Sequence, residues 1–322
     1  MTVVHDLVSI RGAVDQREDQ SKAFCFQHIL NDEFFIQYWT REVVHFPASP
    51  DRLQDIFGWS QLNSVLQLTH KVLQPPSLRV VRDGVAVSID AYTDVVADRK
   101  TNPFRQVSSR KIVELCSDGA TLVIDGIERF WTPLRLLTDE LFKLTGERVQ
   151  ANAYYSQKPL PGFKLHYDTH EVFVLQVAGS KLWRIGGTSY PYPLYTQPSA
   201  AHEPFTGEYK EFILRRGSIL YLPRGVWHSA VATDEPSLHL SVGVHCRTRL
   251  EFLIWVIKSL ADRAELRENL HCPGMEMNRD VLMAGLQSAV AEKLSEATII
   301  DQYKAASESL RESAAVNFEF PT

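Results

Sequence analysis

The sequence has few cysteines, no long apolar run and no excess of positive charge, and each shortage closes off a class of protein. Its four cysteines, Cys25, Cys116, Cys246 and Cys272, are scattered through 322 residues without a Cys-x-x-Cys pair. That spacing argues against a thiolate zinc site and against a disulfide framework. No stretch approaches the ~18 consecutive apolar residues of a membrane span, and the first residues lack the apolar core of a signal peptide. The expected compartment is a reducing cytoplasm. Lys and Arg number 34 against 39 Asp and Glu, for a net charge of −5. This balance makes no electrostatic case for nucleic acid or a membrane surface, although a basic protein could still be a substrate. No internal repeat, low-complexity tract, phosphate loop, serine nucleophile or acid–base carboxylate pair stands out.

What is present is the composition of a globular protein, 44% hydrophobic and 23% charged, with ample material for a core. The most informative stretch runs from Gly162 to Arg184. It reads as two short strands joined at Gly179, with His166 and Asp168 two residues apart on the first. Side chains at i and i+2 share one face of a strand, so an imidazole and a carboxylate are expected side by side. Later, Gly217-Ser-Ile-Leu-Tyr-Leu-Pro-Arg-Gly-Val-Trp-His228 reads as another strand and turn ending in a histidine. A His-x-Asp pair alone is common, and its plain reading is a half-buried strand histidine bonded to its neighbour. Two histidines and one carboxylate on one face of an ion leave three positions open, the arrangement of non-haem Fe(II) oxygenases.

Around this stretch the pattern is α+β. Asn31 is placed to cap a helix carrying Phe34, Phe35, Tyr38 and Trp39, with a strand at Val43–Phe46 behind it. Helices are expected over Asp51–Phe57, Ser60–Gln67 with Ser60 as cap, Pro103–Cys116 and Pro133–Thr145. Asp83-Gly84 signals a hairpin between Ser77–Val81 and Val85–Ile89. Strands follow at Ala120–Asp125, Val149–Ser156, Glu211–Leu214, Ser218–Leu222 and Leu238–Val244, the mark of a sandwich or barrel. Tyr190–Gly207 is a long loop rich in Pro and Tyr, a lid or a dimer contact by expectation. From Thr248 the chain turns helical. Leu250, Leu253, Ile254, Ile257 and Leu260 form one apolar stripe, and Val281, Leu282, Leu286, Val290 and Leu294 another.

With these motifs the sequence resembles the JmjC-type cupin oxygenases, most nearly the bacterial and eukaryotic ribosomal oxygenases, from roughly Asp32 to Val244. The resemblance implies a double-stranded β-helix (cupin or jelly-roll) core, with Fe(II), 2-oxoglutarate and O2 as cofactor and co-substrates. It implies His166, Asp168 and His228 as metal ligands and Lys181 as the cation for the distal carboxylate of 2-oxoglutarate. Asn152 and Tyr154 would complete that site, although ordinary strand hydrogen bonding explains them nearly as well. His170 is expected to point away from the metal, His239 to line or back the pocket, and Trp183 to be core or pocket wall. The implied domains are a lead-in at 1–30, a catalytic domain at 31–247 and a C-terminal α-helical region at 248–322 that makes a homodimer. The implied reaction is hydroxylation of an unactivated C–H in a protein or peptide residue. A free amino acid or small natural product is the alternative substrate, and a non-catalytic cupin binding module the alternative class. Similar proteins carry a further winged-helix domain, for which some 20 residues after the last expected helix leave little room.

Overall fold

Short runs of β-branched and aromatic residues between Gly and Pro turn signals form most of the strands, because such side chains suit a pleated, half-buried surface. The computed structural model describes residues 4–6, 26–49, 51–53, 55–67, 77–97, 103–270 and 278–312. They fall into two units, Met1–Cys246 and Arg247–Thr322. The first begins with β1 (Val4–Asp6), α1 (Asp32–Gln37), β2 (Val43–Phe46), α2 (Trp59–Leu66) and the hairpin β3 (Leu78–Arg82)–β4 (Val85–Ala86). It continues with α3 (Ile89–Tyr92), β5 (Thr93–Val96), β6 (Phe104–Val107), α4 (Ser109–Ser117), β7 (Thr121–Asp125) and α5 (Thr132–Thr145). Then come β8 (Arg148–Ser156), β9 (Glu171–Ala178), β10 (Ser180–Thr188), β11 (Lys210–Arg215), β12 (Ile219–Leu222), β13 (Val226–Ala232) and β14 (Ser237–His245).

Among the described residues the strands make a nine-stranded sheet in the order β1-β2-β12-β9-β14-β8-β7-β3-β4, a three-stranded sheet β11-β10-β13 and the separate pair β5-β6. Alternation along the strands builds two cores. Ala151, Ala153, Phe173, Leu175, Leu240 and Val242 belong to a core shared with Phe34, Leu62, Ile112, Leu134 and Leu141 of the helices. Their neighbours Val172, Val174 and Leu220 meet Trp183, Ile185, Leu214 and Val226 of the smaller sheet. The large sheet is thus covered by helices on one face and by the small sheet on the other. The arrangement is consistent with the double-stranded β-helix expected from the sequence.

Several expectations are corrected. Asp51–Phe57 forms turns where it is described, because Leu53, Ile56 and Phe57 reach the core without a helix. Ser60 lies inside α2, which is capped by the backbone at Gly58. The segment after Pro103 opens as β6, paired antiparallel with β5, and turns helical only past Ser108. Val85–Ile89 ends early, since Ser88 caps α3. The lead-in is not wholly loose: β1 pairs parallel with β2, and Phe26 is fully buried. The rest of residues 1–25 lies outside the described residues, as do Cys25 and Cys272. The cap by Asn31 is observed, its side chain accepting from Phe34 N at 2.9 Å.

The β9–β10 turn depends on one glycine. Gly179 has φ +62, and a Cβ there would lie 1.9 Å from the carbonyl oxygen of Pro236. Both a left-handed backbone and a backbone clash oppose any side chain. Gly179→Ala is expected to cost about 2–3 kcal/mol, read as a drop in Tm of roughly 5–10 °C. An unchanged Tm would show that the turn can relax.

In the second unit, α6 (Arg249–Ser259) opens on a capping box between Thr248 and Glu251. It is followed by α7 (Arg279–Leu294) and α8 (Ile299–Glu312). Phe252 and Trp255 meet Tyr303 with ring centroids 5.2 and 5.4 Å apart, and Arg263 pairs with Glu292 at 2.9 Å. Within the first apolar stripe Leu260 is buried, whereas Leu250, Leu253, Ile254 and Ile257 stay 39–53% exposed. No described helix is long and apolar enough to cross a membrane.

Candidate metal centre

His166 and Asp168 do not sit on a strand. β9 begins only at Glu171, and the residues before it run as an irregular segment along β13. The segment is held by a reciprocal bridge, His166 N donating to His228 O at 3.0 Å and His228 N to His166 O at 2.7 Å. His228, expected at the end of a turn, is on β13 itself. Its tryptophan and valine neighbours make that stretch a natural strand; the expectation stopped at Pro223-Arg224-Gly225. The bridge brings the two imidazoles together at a tilt of 54°, with ring centroids 4.5 Å apart. Asp168 completes the group, one oxygen 3.6 Å from His228 Nε2. One ligand atom from each of His166, Asp168 and His228 lies within 4.8 Å of the others.

The tautomers suit an ion. His166 Nδ1 is 2.7 Å from the Lys164 carbonyl, and His228 Nδ1 is 2.9 Å from the Val226 carbonyl. Each ring therefore donates from Nδ1 and presents a bare Nε2. Burial, with His166 adding to it, lowers the His228 imidazole to about 4, so it is neutral at physiological pH. For Asp168, burial alone would raise the carboxyl, but His170, His228, His166 and His245 outweigh it and hold the group below its ordinary value. A neutral His228 imidazole and an ionised Asp168 carboxylate result. His170 is no part of this group: it stacks on His245 at 4.6 Å, in space that a Cβ on Gly243 would fill.

Beside the triad is a second polar cluster on the inward faces of β10, β8 and β14. Lys181 is buried, and its ammonium donates to Ser156 Oγ at 3.2 Å. Burial pulls that ammonium down to about 7. Trp183, two residues on and so on the same face, lies 5.8 Å from the His228 ring and 5.6 Å from the His239 ring. His239 in turn stacks on Tyr154 at 4.9 Å. Trp183 Nε1 and His239 Nδ1 are buried polar atoms without a partner among the described residues. Burial, and then the charge of Lys181, keep His239 neutral. Burial, with Asp168 second, pushes the Tyr154 hydroxyl up to about 12. Asn152 is occupied otherwise: its oxygen accepts from Gly126 N at 2.9 Å and Gln150 Nε2 at 3.1 Å. Of the two places open to Trp183 from the sequence, core or pocket wall, its i+2 relation to Lys181 favours the pocket wall. A cavity of about 800 Å³ on the helix-covered side of the sheet, walled by Trp59, Leu62, Ile112 and Tyr155, includes none of these residues.

The JmjC domain family matches residues 129–252. The bifunctional lysine-specific demethylase and histidyl-hydroxylase NO66 of Drosophila mojavensis is 29% identical over 242 residues, 73% of this chain and 26% of that protein. Human ribosomal oxygenase 1 is 27% identical over 245 residues, 74% of this chain and 36% of the relative. The rat protein of that name is 31% identical over 82% of this chain and 44% of its own length. The chain thus spans well under two thirds of these relatives. The structure of the Escherichia coli ribosomal oxygenase YcfD superposes with a TM-score of 0.54 at 16% identity, covering 85% of this chain and 69% of that one. YcfD in complex with cobalt and 2-oxoglutarate gives 0.53 at 18% identity, covering 85% and 70%. Residues 129–252 therefore form a JmjC domain, and the ribosomal oxygenases are relatives of this chain.

Proposed function

We propose that the protein is an Fe(II)- and 2-oxoglutarate-dependent dioxygenase that hydroxylates an unactivated C–H of a protein or peptide residue. The observation that carries this reading is the triad itself, with two Nε2 atoms and one ionised carboxylate close together in a partly buried site. His166, Asp168 and His228 would hold the ion on one face and leave the other open. The neighbouring cluster fits the co-substrate: Lys181 is a buried cation with one neutral partner, and Trp183 Nε1 and His239 Nδ1 are unsatisfied. Such groups favour a carboxylate, which would form charge-assisted bonds with the ammonium. Lys181 would take the distal carboxylate, with Tyr154 and Asn152 shaping the wall. When bound, the ion and 2-oxoglutarate supply the oxidising power for O2 chemistry. The named relatives act on protein, which favours a protein residue over a small molecule. The test is incubation with Fe(II), 2-oxoglutarate and oxygen, reading succinate formation and gain of one oxygen on candidate proteins. Succinate without any protein product would favour a small substrate; no succinate with any substrate would overturn the oxygenase.

We assign the catalytic domain to 31–247 and the helical region to 248–322, and infer a twofold homodimer through that region. Its support is the exposed apolar side chains of α6 and of Val281, Leu286 and Leu294 on α7, which need a cover. Light scattering is expected to give twice 36.6 kDa for the full chain, and a smaller mass for Ile257→Glu. A single-chain mass across micromolar concentrations would overturn the dimer.

A further inference from the structure

Tyr167 lies between two of the triad residues, and Trp227 immediately precedes the third. Both are buried, and their rings meet edge to face at 5.1 Å. Against them packs the loop between β10 and β11. Ser189 Oγ accepts from Trp227 Nε1 at 2.7 Å, and the Gln197 carbonyl accepts from the Tyr167 hydroxyl at 3.0 Å. His202 Nδ1 is 2.7 Å from that same hydroxyl. A phenol has one proton to give; if Gln197 takes it, His202 must donate, which assigns the Nδ1–H tautomer. His202 is stacked on Tyr190 at 3.9 Å, and the Tyr190 hydroxyl accepts from Gln197 Nε2 at 2.8 Å. The loop also abuts the turn before β13. Gly225 N donates to the Asp168 carbonyl at 2.9 Å, and a Cβ on Gly225 would meet the Tyr190 carbonyl at 2.8 Å and Pro193 at 2.9 Å.

We propose that loop 189–202 is a strap that sets the spacing of the triad, with His202 acting through Tyr167, and Ser189 through Trp227, as positioning residues. The physical need lies in the segment 165–168. It lacks a strand ladder and is tied to β13 by the His166–His228 bridge and the Gly225 bond. Backbone bonds of this kind fix the distance between the two segments but leave rotation about the bridge free. The Tyr167 and Trp227 side chains, both anchored to one loop, resist that rotation. Groups that hold ligands in place without touching the ion commonly govern affinity.

The inference rests on the triad being a metal site, and the experiment separates the two. Apoprotein is titrated with Co(II) alone, following affinity and the visible d–d absorption that reports ligand geometry. Tyr167→Phe keeps the ring and loses both hydrogen bonds; His202→Ala loses the donor, and His202→Asn returns one near the Nδ1 position. Tyr167→Phe and His202→Ala are expected to weaken Co(II) binding about tenfold and shift the absorption. Their combination should be no weaker than either, because both cut one path. His202→Asn should recover most of the affinity, and Tyr195→Ala, at an exposed position of the loop, should change nothing. Wild-type affinity and spectrum in a folded Tyr167→Phe would overturn the strap. So would a loss in His202→Ala that His202→Asn does not recover. Should His202→Ala fail to fold, the near-isosteric Tyr167→Phe decides. A wild-type protein that binds no Co(II) would overturn the metal site, and the strap with it.

Discussion

Asp168→Ala is expected to weaken Co(II) or Fe(II) binding by about 100-fold or more, since even changes behind the ligands cost 10–100-fold. The carboxylate is the one anionic member of the triad, and His228 is held neutral by burial, with His166 adding to it. Without Asp168 a divalent ion in this partly buried site would have two uncharged donors and no compensating charge. Asp168→Asn separates shape from charge: it keeps the volume and should lose nearly as much affinity. The apoprotein should fold in both variants, because the Asp168 side chain is partly exposed and belongs to neither hydrophobic core. Calorimetric titration of the apoprotein checks this. A dissociation constant within about threefold of wild type would mean the ion is held elsewhere.

Lys181→Ala is expected to weaken 2-oxoglutarate binding by ~2 kcal/mol or more, about 30-fold, while Co(II) affinity changes little. The same lysine gives two further signs to read. Its ammonium is lowered to about 7 by burial, so below that pH the free protein already carries the charge a carboxylate needs. Above it, a proton must be taken up with the ligand, and affinity should fall by up to about tenfold per pH unit. Stability has the opposite dependence. Between about 7 and the ordinary lysine value the unfolded chain holds a proton that the native protein lacks, so stability rises with pH in that window. At pH 6 the buried ammonium is a cost, and Lys181→Met should raise the apoprotein's Tm even as it abolishes tight 2-oxoglutarate binding. A lysine that only supported the fold would lower Tm instead. Equal 2-oxoglutarate affinity in wild type and Lys181→Ala would assign the carboxylate to another group.

The β9 and β14 strands, helix α5 with its stop at Gly146, and the Asn31 cap were legible because each depends on a local period or a residue beside it in the chain. Lys181 could be placed on the strand after the Gly179 turn from the sequence, but its role came from the resemblance. Local pattern failed where short apolar runs had two outcomes: Asp51–Phe57 met the core as turns, and Phe104–Val107 found a strand partner in β5. It also misassigned His166 and Asp168 to a ladder of their own. Their alignment comes from a bridge to His228, 62 residues away, and no periodicity can report a pairing across that distance. The sequence by itself supplied a His-x-Asp pair, a distant histidine and a lysine, and its resemblance to a family made them a candidate site. Tertiary structure alone decided which nitrogen each histidine presents, that Trp183 and His239 keep unsatisfied atoms beside Lys181, and that the β10–β11 loop grips Tyr167 and Trp227. Those features arise from burial and from the local backbone course that turns the Lys164 and Val226 carbonyls onto their histidines, and neither is written in the order of the residues.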